Sequence, residues 1–335
     1  MQRDPATQRA LAGTLPSTME ALQLRQTDEE GPRVEHATVR VPHLGGPSEV
    51  RIEILAAGLC RTDLYVATGA LPARSGLILG HEGAGRVDAI GSDVAGLALG
   101  DLVGIDPRIA CGRCDGCTRP AGSCLAPQRL GVERDGVFAG SVIVPEVNAI
   151  PLAASVSPQR AAYLEPVAAA MGALRAGLRP SDRGAIAGEG RIAELTRRVL
   201  VHAGFPPPPV LQPHDLSLAC APAGFDFVID AGLPDDASLD AMVHALRPGG
   251  TLVMKSRSAV RRSFQASEWV NREITVAARA YGSFSEAAAA LSDPALVLED
   301  LFGSVRSLAE HEAVFSEARK SEALKLFFAV PYLSP

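Results

Sequence analysis

The sequence predicts an α/β protein of two domains, a mostly β metal-bearing domain and a shorter parallel-sheet domain. Three observations carry this expectation. The chain has 335 residues, and a single hydrophobic core rarely grows beyond about 250–300 residues. Four of its six cysteines, Cys111, Cys114, Cys117 and Cys124, fall within fourteen residues. Farther on, DRGAIAGEGRIAELTRRVLVHAG reads as a strand, a glycine turn and a helix ending at Gly204, the opening of a βα unit.

Composition narrows the class. Hydrophobic residues make up 47% and charged residues 21%, which supplies ample core material and excludes whole-chain disorder. Aromatics contribute only 4%, so the cores must be mostly aliphatic. The net charge is −6 and no Lys/Arg cluster stands out, against the basic surface that nucleic acid requires. No apolar run approaches the roughly 18 residues of a membrane span. The opening MQRDPATQRALAGTLPSTM lacks the apolar stretch of a signal peptide. A cytoplasmic location without nucleic-acid or membrane partners is expected.

Along the chain, Cys60 in AAGLCRTDLYVATG and His81 in LILGHEGAGRV each follow a β-like apolar run, at a strand end or the loop beyond it. Taken singly, each also reads as a core thiol or a satisfied histidine. The four-cysteine loop CGRCDGCTRPAGSC is more specific. Its spacing, C-x2-C-x2-C-x6-C, lets one loop present four thiolates tetrahedrally, and without an export signal a metal site outranks a disulfide framework. Zinc accepts four sulfurs at about 2.3 Å without redox chemistry. Gly112, Gly116, Pro120 and Gly122 permit the turns. Four ligands leave no open position, so this metal is structural. Cys220 in LSLACAP reads as a buried small hydrophobe without a role. Glu165 opens EPVAAAMGAL, a helix start with Pro166 in its first turn, where an acid also stands for solubility alone.

In the second half, Gly188, Gly190 and Ala193 fit G-x-G-x-x-A: one glycine for the turn, one to admit a pyrophosphate, and a small residue for close helix–strand packing. Arg191 is available to a phosphate. Glu189 opposes anion binding unless it points outward. The second strand is expected near Val210–Leu211 and the fourth from Phe225, with only 13 residues, Gln212 to Gly224, between them. One parallel crossover takes at least about 10–12 residues, so the third strand is expected to be missing. Pro206–Pro209 would protect the new edge. The acid that grips the adenosine ribose is absent near Gln212, where His214 and Asp215 stand closest, and no arginine stands there for a 2′-phosphate. ASLDAMVHALRPGGTLVM reads as a helix stopped by Pro248-Gly249-Gly250, then a strand. NREITVAAR is a strand, SEAAAALSD a helix, and SLAEHEAVFSEARKSEALKLFFAV an amphipathic helix with a strand returning to the first domain. The run Arg257–Arg262 reads as a solvated loop.

GLCRTD, GHEGAGRV, the four-cysteine loop and LEPVAAA, in that order, resemble the medium-chain zinc-dependent alcohol and polyol dehydrogenases. GEGRIA, FDFVIDAG, ALRPGGTLVMKSR and VNREITVAARAYGSF extend the likeness from about Met19 to the end. The resemblance implies a GroES-like zinc domain over 19–150, completed by about 290–335, a shortened Rossmann-type domain over 151–289, and an N-terminal extension over 1–18. It implies a catalytic zinc held by Cys60, His81 and Glu165, with Glu82 as a neighbouring or exchanging ligand. One thiolate and one carboxylate balance the charge of Zn²⁺ and leave a position for substrate. Thr62 would hydrogen-bond the reacting hydroxyl and pass its proton outward, and Asp63 would orient the ligand loop. Tyr65 departs from the histidine that many relatives carry as outer relay, and a phenol of pKa about 10 is a poorer shuttle. The implied activity is hydride transfer between NAD(P) and a small-molecule secondary alcohol or polyol, or its ketone. Cofactor contacts would come from Gly188, Gly190, Arg191, Ala193 and His214, at a cleft between the domains of a homodimer or homotetramer. The trimmed dinucleotide half leaves a second reading open: a former dehydrogenase serving as a binding or scaffold partner, or a redox-neutral zinc enzyme.

Overall fold

EVRIEILAAG alternates apolar Val50, Ile52 and Ile54 with charged Glu49, Arg51 and Glu53, then becomes apolar on both faces from Leu55 onward, as a strand does that runs into the interior of a sheet. It forms β3 (Glu49–Gly58), with seven of its ten residues buried. The computed structural model describes residues 17–27, 31–119, 123–219, 224–232, 235–257, 260–321 and 323–330. Nearly all of the expected extension, Pro120, Gly122, Cys220 and part of the Arg257–Arg262 run lie outside them.

The chain divides into two compact units, Met1–Glu165 with Phe302–Pro335, and Pro166–Leu301. The first holds a hairpin of β1 (Thr18–Thr27) and β2 (Gly31–Arg40), then β3, β4 (Glu82–Ile90), β5 (Leu102–Ile105), the short pair β6 (Arg108–Ile109) and β7 (Gln128–Arg129), β8 (Ser141–Pro145) and β9 (Ala149–Pro151). Its helices are α1 (Arg61–Ala67), α2 (Asp115–Thr118), α3 (Pro158–Ala162) and the start of α4 (Leu164–Met171). The second unit carries β10 (Gly184–Ala187), α5 (Gly190–His202), β11 (Val210–Leu211), α6 (Leu216–Ala219), β12 (Phe225–Asp230), α7 (Asp236–Ala245), β13 (Leu246–Met254), α8 (Ala266–Asn271), β14 (Thr275–Ala278) and α9 (Phe284–Ser292). The chain then returns to the first unit through β15 (Phe302–Arg306), α10 (His311–Lys320) and β16 (Lys325–Phe328).

The unit borders fall later than the 150/151 and 289/290 read from sequence. Residues 152–165 stay with the first unit because α3 and Leu164 pack on its sheet: a Cβ at Gly104 of β5 would lie 2.6 Å from Leu164 Cδ2 and 3.1 Å from the Ala161 carbonyl. Residues 290–301 stay with the second because Arg198 of α5 holds them. Its guanidinium donates to the Asp300 carboxylate at 2.6 Å and to the Val297 carbonyl at 2.9 Å.

The main sheet of the first unit runs β15-β16-β3-β4-β5-β9, with β8 also on β3. In the second unit the order is β11-β10-β12-β13-β14, every pair parallel. β11 is a two-residue edge strand, and among the described residues no further strand lies beyond it. Two expectations are corrected. Helix α7 ends at Ala245, and Pro248-Gly249-Gly250 lie inside β13, where the register jumps from Phe225↔Leu246 to Phe227↔Thr251. The extra residues bulge out of the ladder, and Gly249 takes φ +74° to turn it. LILG ahead of His81 makes only a single bridge, Gln23↔Ile78, so His81 leads into β4 rather than following a strand. Among the described residues, no helix is long and apolar enough to cross a membrane.

Candidate metal centres and dinucleotide turn

The four cysteine sulfurs converge as their spacing requires. Cys114 Sγ lies 3.5 Å from Cys117 Sγ and 4.0 Å from Cys124 Sγ, and Cys111 Sγ lies 3.9 Å from Cys117 Sγ. A disulfide would bring two of them to about 2.05 Å. A tetrahedron of sulfurs at about 2.3 Å from a central zinc has edges near 3.8 Å, and the observed spread brackets that length. Backbone N–H groups feed the sulfurs: Leu125 donates to Cys114 and Cys111 to Cys124, both at 3.4 Å. The Leu125 N–H leads the effects that hold the Cys114 thiol down to about 6, whereas burial, with its neighbours' thiols, pushes Cys117 up to about 12. Gly116 is dictated by close approach, because a Cβ there would stand 1.9 Å from the Ser123 carbonyl. The donor set suits zinc.

A second cluster lies where β3 and β4 end side by side. Beyond Gly58 the chain passes Leu59, pinned to the Leu326 carbonyl at 2.9 Å, and Cys60 takes the extended N-cap position of α1. Asp63, fully buried in the first turn, reaches back: its Oδ2 accepts the Cys60 N–H at 2.8 Å, and its Oδ1 lies 3.3 Å from His81 Nδ1. One carboxylate thus fixes the backbone at one candidate ligand and the ring of another, leaving His81 Nε2 for a metal. Ligand atoms of Cys60, His81 and Glu82 all lie within 4.8 Å of one another. Burial disfavours a charged imidazole at His81, but the Asp63 carboxylate and the Cys60 sulfur outweigh it and hold its pKa well above the usual range. Thr62 Oγ1 is 4.0 Å from Cys60 Sγ. Glu165, buried in the first turn of α4, is not among the atoms gathered within that 4.8 Å. Tyr65 is exposed. A thiolate, an imidazole and a carboxylate on rigid element ends match zinc in charge and softness.

Sequence inspection misses one residue here. Lys325 of β16, 1% exposed, forms an ion pair with Glu82 Oε2. β16 and β4 flank β3, so the lysine must cross the middle strand at Gly58, where a Cβ would stand 2.6 Å from Lys325 Cε and 2.7 Å from Glu82 Oε2. Its signal is a lone lysine in the apolar strand ALKLFFAV, since lysine is almost never fully buried unpaired. Removing one partner of a buried pair typically costs about 3–5 kcal/mol. Lys325→Met is expected to lose that much unfolding free energy in chelator, and less when zinc is present to balance Glu82. Denaturant unfolding of both forms checks this, and a loss below about 1 kcal/mol, the range of a surface pair, would contradict it.

In the second unit, Gly188 (φ +136°) and Gly190 (φ +76°) make the turn between β10 and α5. A Cβ at Gly188 would stand 3.0 Å from the backbone of Ala231 and Gly232, just past β12. Arg191 and Ala193 are buried in α5. Glu189 is the N-cap of α5 in extended conformation, yet its side chain makes no capping bond; its Oε2 accepts from Gln212 Nε2 at 2.7 Å. His214 is solvent-exposed and 3.6 Å from the Asp215 carboxylate. Asp230, fully buried at the end of β12, escaped the sequence reading. It accepts from Ser256 N–H at 2.9 Å and Ser256 Oγ at 2.7 Å, tying β12 to the segment after β13.

Residues 46–154 match the alcohol dehydrogenase GroES-like domain. L-threonine 3-dehydrogenase of Pyrococcus horikoshii is 35% identical over 191 residues, 55% of this chain, and the chain spans about half the length of that relative, likewise 55%. A probable D-xylulose reductase A of Aspergillus clavatus is 26% identical over 86% of this chain and 91% of its own. Among solved structures, a zinc-binding dehydrogenase from Sinorhizobium meliloti 1021 bound to NADP superimposes with a TM-score of 0.84 at 24% identity, covering 94% of this chain and all of that one. Alcohol dehydrogenase TADH from Thermus sp. ATN1 gives 0.83 at 24% identity over 93% of this chain and 100% of its own. These likenesses show the fold, a GroES-like part with a Rossmann-type part. Residues 46–154 thus carry an alcohol dehydrogenase GroES-like domain, and both metal clusters and the glycine turn stand in the order that resembles the medium-chain zinc-dependent alcohol and polyol dehydrogenases.

Proposed function

We propose that this chain is a zinc-dependent oxidoreductase transferring hydride between NAD(P) and a secondary alcohol or polyol, or the corresponding ketone. The observation that carries the reading is the convergence of Cys60, His81 and Glu82 within 4.8 Å, separate from the four-cysteine cluster. Zinc at that place supplies a Lewis acid for the substrate oxygen, and NAD(P) gives or takes the hydride. Cys60 and His81 bind the metal, and Asp63 keeps the His81 ring in register. Glu82 completes the donor set by proximity, and Glu165 is the further ligand on the family pattern. Thr62, next to the Cys60 sulfur, takes the proton of the substrate hydroxyl outward, and exposed Tyr65 leaves the last step of that route to water. Gly188, Gly190, Arg191 and Ala193 cradle the dinucleotide.

The likeness to a D-xylulose reductase over 86% of the chain favours a polyol-type substrate, and a scaffold without catalysis is not favoured. A homodimer or homotetramer in the cytoplasm is the proposed setting, with the first compact unit, up to Glu165 and again from Phe302, forming the zinc domain. The test is reduction of NAD⁺ or NADP⁺ by a panel of polyols, secondary alcohols and L-threonine, before and after zinc removal. Turnover lost on chelation and restored by zinc is expected; turnover that survives zinc removal overturns the mechanism.

A further inference from the structure

We propose that Glu189 is the ribose-diol acceptor of the dinucleotide site and that it makes the chain selective for NAD(H) over NADP(H). This rests on the dinucleotide reading above. In a parallel-sheet nucleotide site, an acid about 20 residues past the glycine turn, at the end of the second strand, grips the adenosine ribose. The corresponding place here, directly after β11, holds Gln212, an uncharged amide.

That amide is engaged. Its Nε2 donates to Glu189 Oε2 at 2.7 Å, so a carboxylate does reach the end of β11, arriving from the glycine turn instead of from the strand. Glu189 also leaves α5 alone: its backbone is extended (φ −145°, ψ 177°) and its side chain makes no capping bond. The first-turn N–H groups of this 13-residue helix therefore take no side-chain acceptor from their own N-cap, where a pyrophosphate would dock. The negative charge is displaced toward the position of the ribose.

One oxygen of Glu189 is oriented by Gln212, which leaves the carboxylate capacity to accept from the 2′- and 3′-hydroxyls. A 2′-phosphate replaces one of those donors with a dianion. Among the described residues no cation pairs with Glu189 to offset it, and the nearest histidine in sequence to Gln212, His214, is turned to Asp215 at 3.6 Å. Like charges then meet at the point where the two cofactors differ.

The experiment is calorimetric titration of the zinc-loaded full chain with ADP-ribose and with 2′-phospho-ADP-ribose, which carry the ribose distinction without the nicotinamide or any turnover. ADP-ribose is expected to bind about tenfold tighter or more, the worth of a hydrogen bond to a charged group. Glu189→Gln, which keeps the shape and removes the charge, is expected to bring the ratio close to one. Gln212→Ala is expected to weaken ADP-ribose alone, because the carboxylate is no longer held at β11. A wild-type chain that binds the phosphorylated ligand equally or better overturns the proposal and leaves the dinucleotide reading standing, as does a ratio unchanged in Glu189→Gln. Binding of neither ligand overturns both.

Discussion

His81→Ala is expected to abolish turnover while leaving the fold and one zinc ion in place. The imidazole is one of three donors gathered within 4.8 Å, and a catalytic site short of one protein ligand holds its metal poorly. Loss of the Lewis acid removes several kcal/mol of transition-state stabilisation, a fall of at least about a thousandfold in kcat/KM. Metal analysis of the variant should return about one zinc per chain against about two for the parent, and circular dichroism should be unchanged. The residue is buried at 7% exposure, and Asp63 retains its bond to the Cys60 N–H, so the local backbone has a reason to persist. Two zinc ions retained in an active variant would place the catalytic metal elsewhere.

Cys114→Ser is expected to do the opposite. Cys114 contacts two other cysteine sulfurs and accepts the Leu125 N–H, and a hydroxyl supplies no thiolate. Four-coordinate sites of this kind are part of the fold. The loss should exceed about 4 kcal/mol, the range in which removal of a metal site falls. It should appear as loss of one zinc, rapid proteolysis within residues 111–124, and a lower Tm. Neither α2, four residues long, nor the two-residue strands β6 and β7 can hold this lobe without the metal. A variant that keeps its Tm and resists protease would show that the lobe stands without zinc.

How much of this was legible in the sequence depended on how far apart the cooperating residues lie. The four cysteines share one loop, so spacing alone announced their convergence. Cys60 and His81 lie 21 positions apart but at the adjacent ends of β3 and β4, and motif order linked them. That no third strand stands beyond β11 among the described residues followed from counting, since 13 residues cannot carry two crossovers and a strand. Lys325 was invisible for the reverse reason. It reaches Glu82 only because the sheet sets β16 and β4 on either side of β3 and because Gly58 has no side chain. Tertiary packing likewise overrode local punctuation twice. Pro248-Gly249-Gly250 looks like a helix stop but sits in a bulged strand, and the border expected at residue 150 moved because α3 packs back on the first sheet. The direction of Glu189 was not readable at all, since a glycine turn leaves its middle residue free to face the helix or the neighbouring strand.

Hydride transfer requires that a chain with these two metal-ligand clusters and a five-stranded parallel sheet hold a nicotinamide cofactor. Titration of the zinc-loaded protein with NADH and NADPH, followed by nicotinamide fluorescence, tests this without knowledge of the substrate. Saturable binding of NADH in the micromolar range, with NADPH weaker, is the expected result. No saturable binding of either up to millimolar concentration, in protein shown by metal analysis to carry both zinc ions, would contradict hydride transfer as the function of this chain.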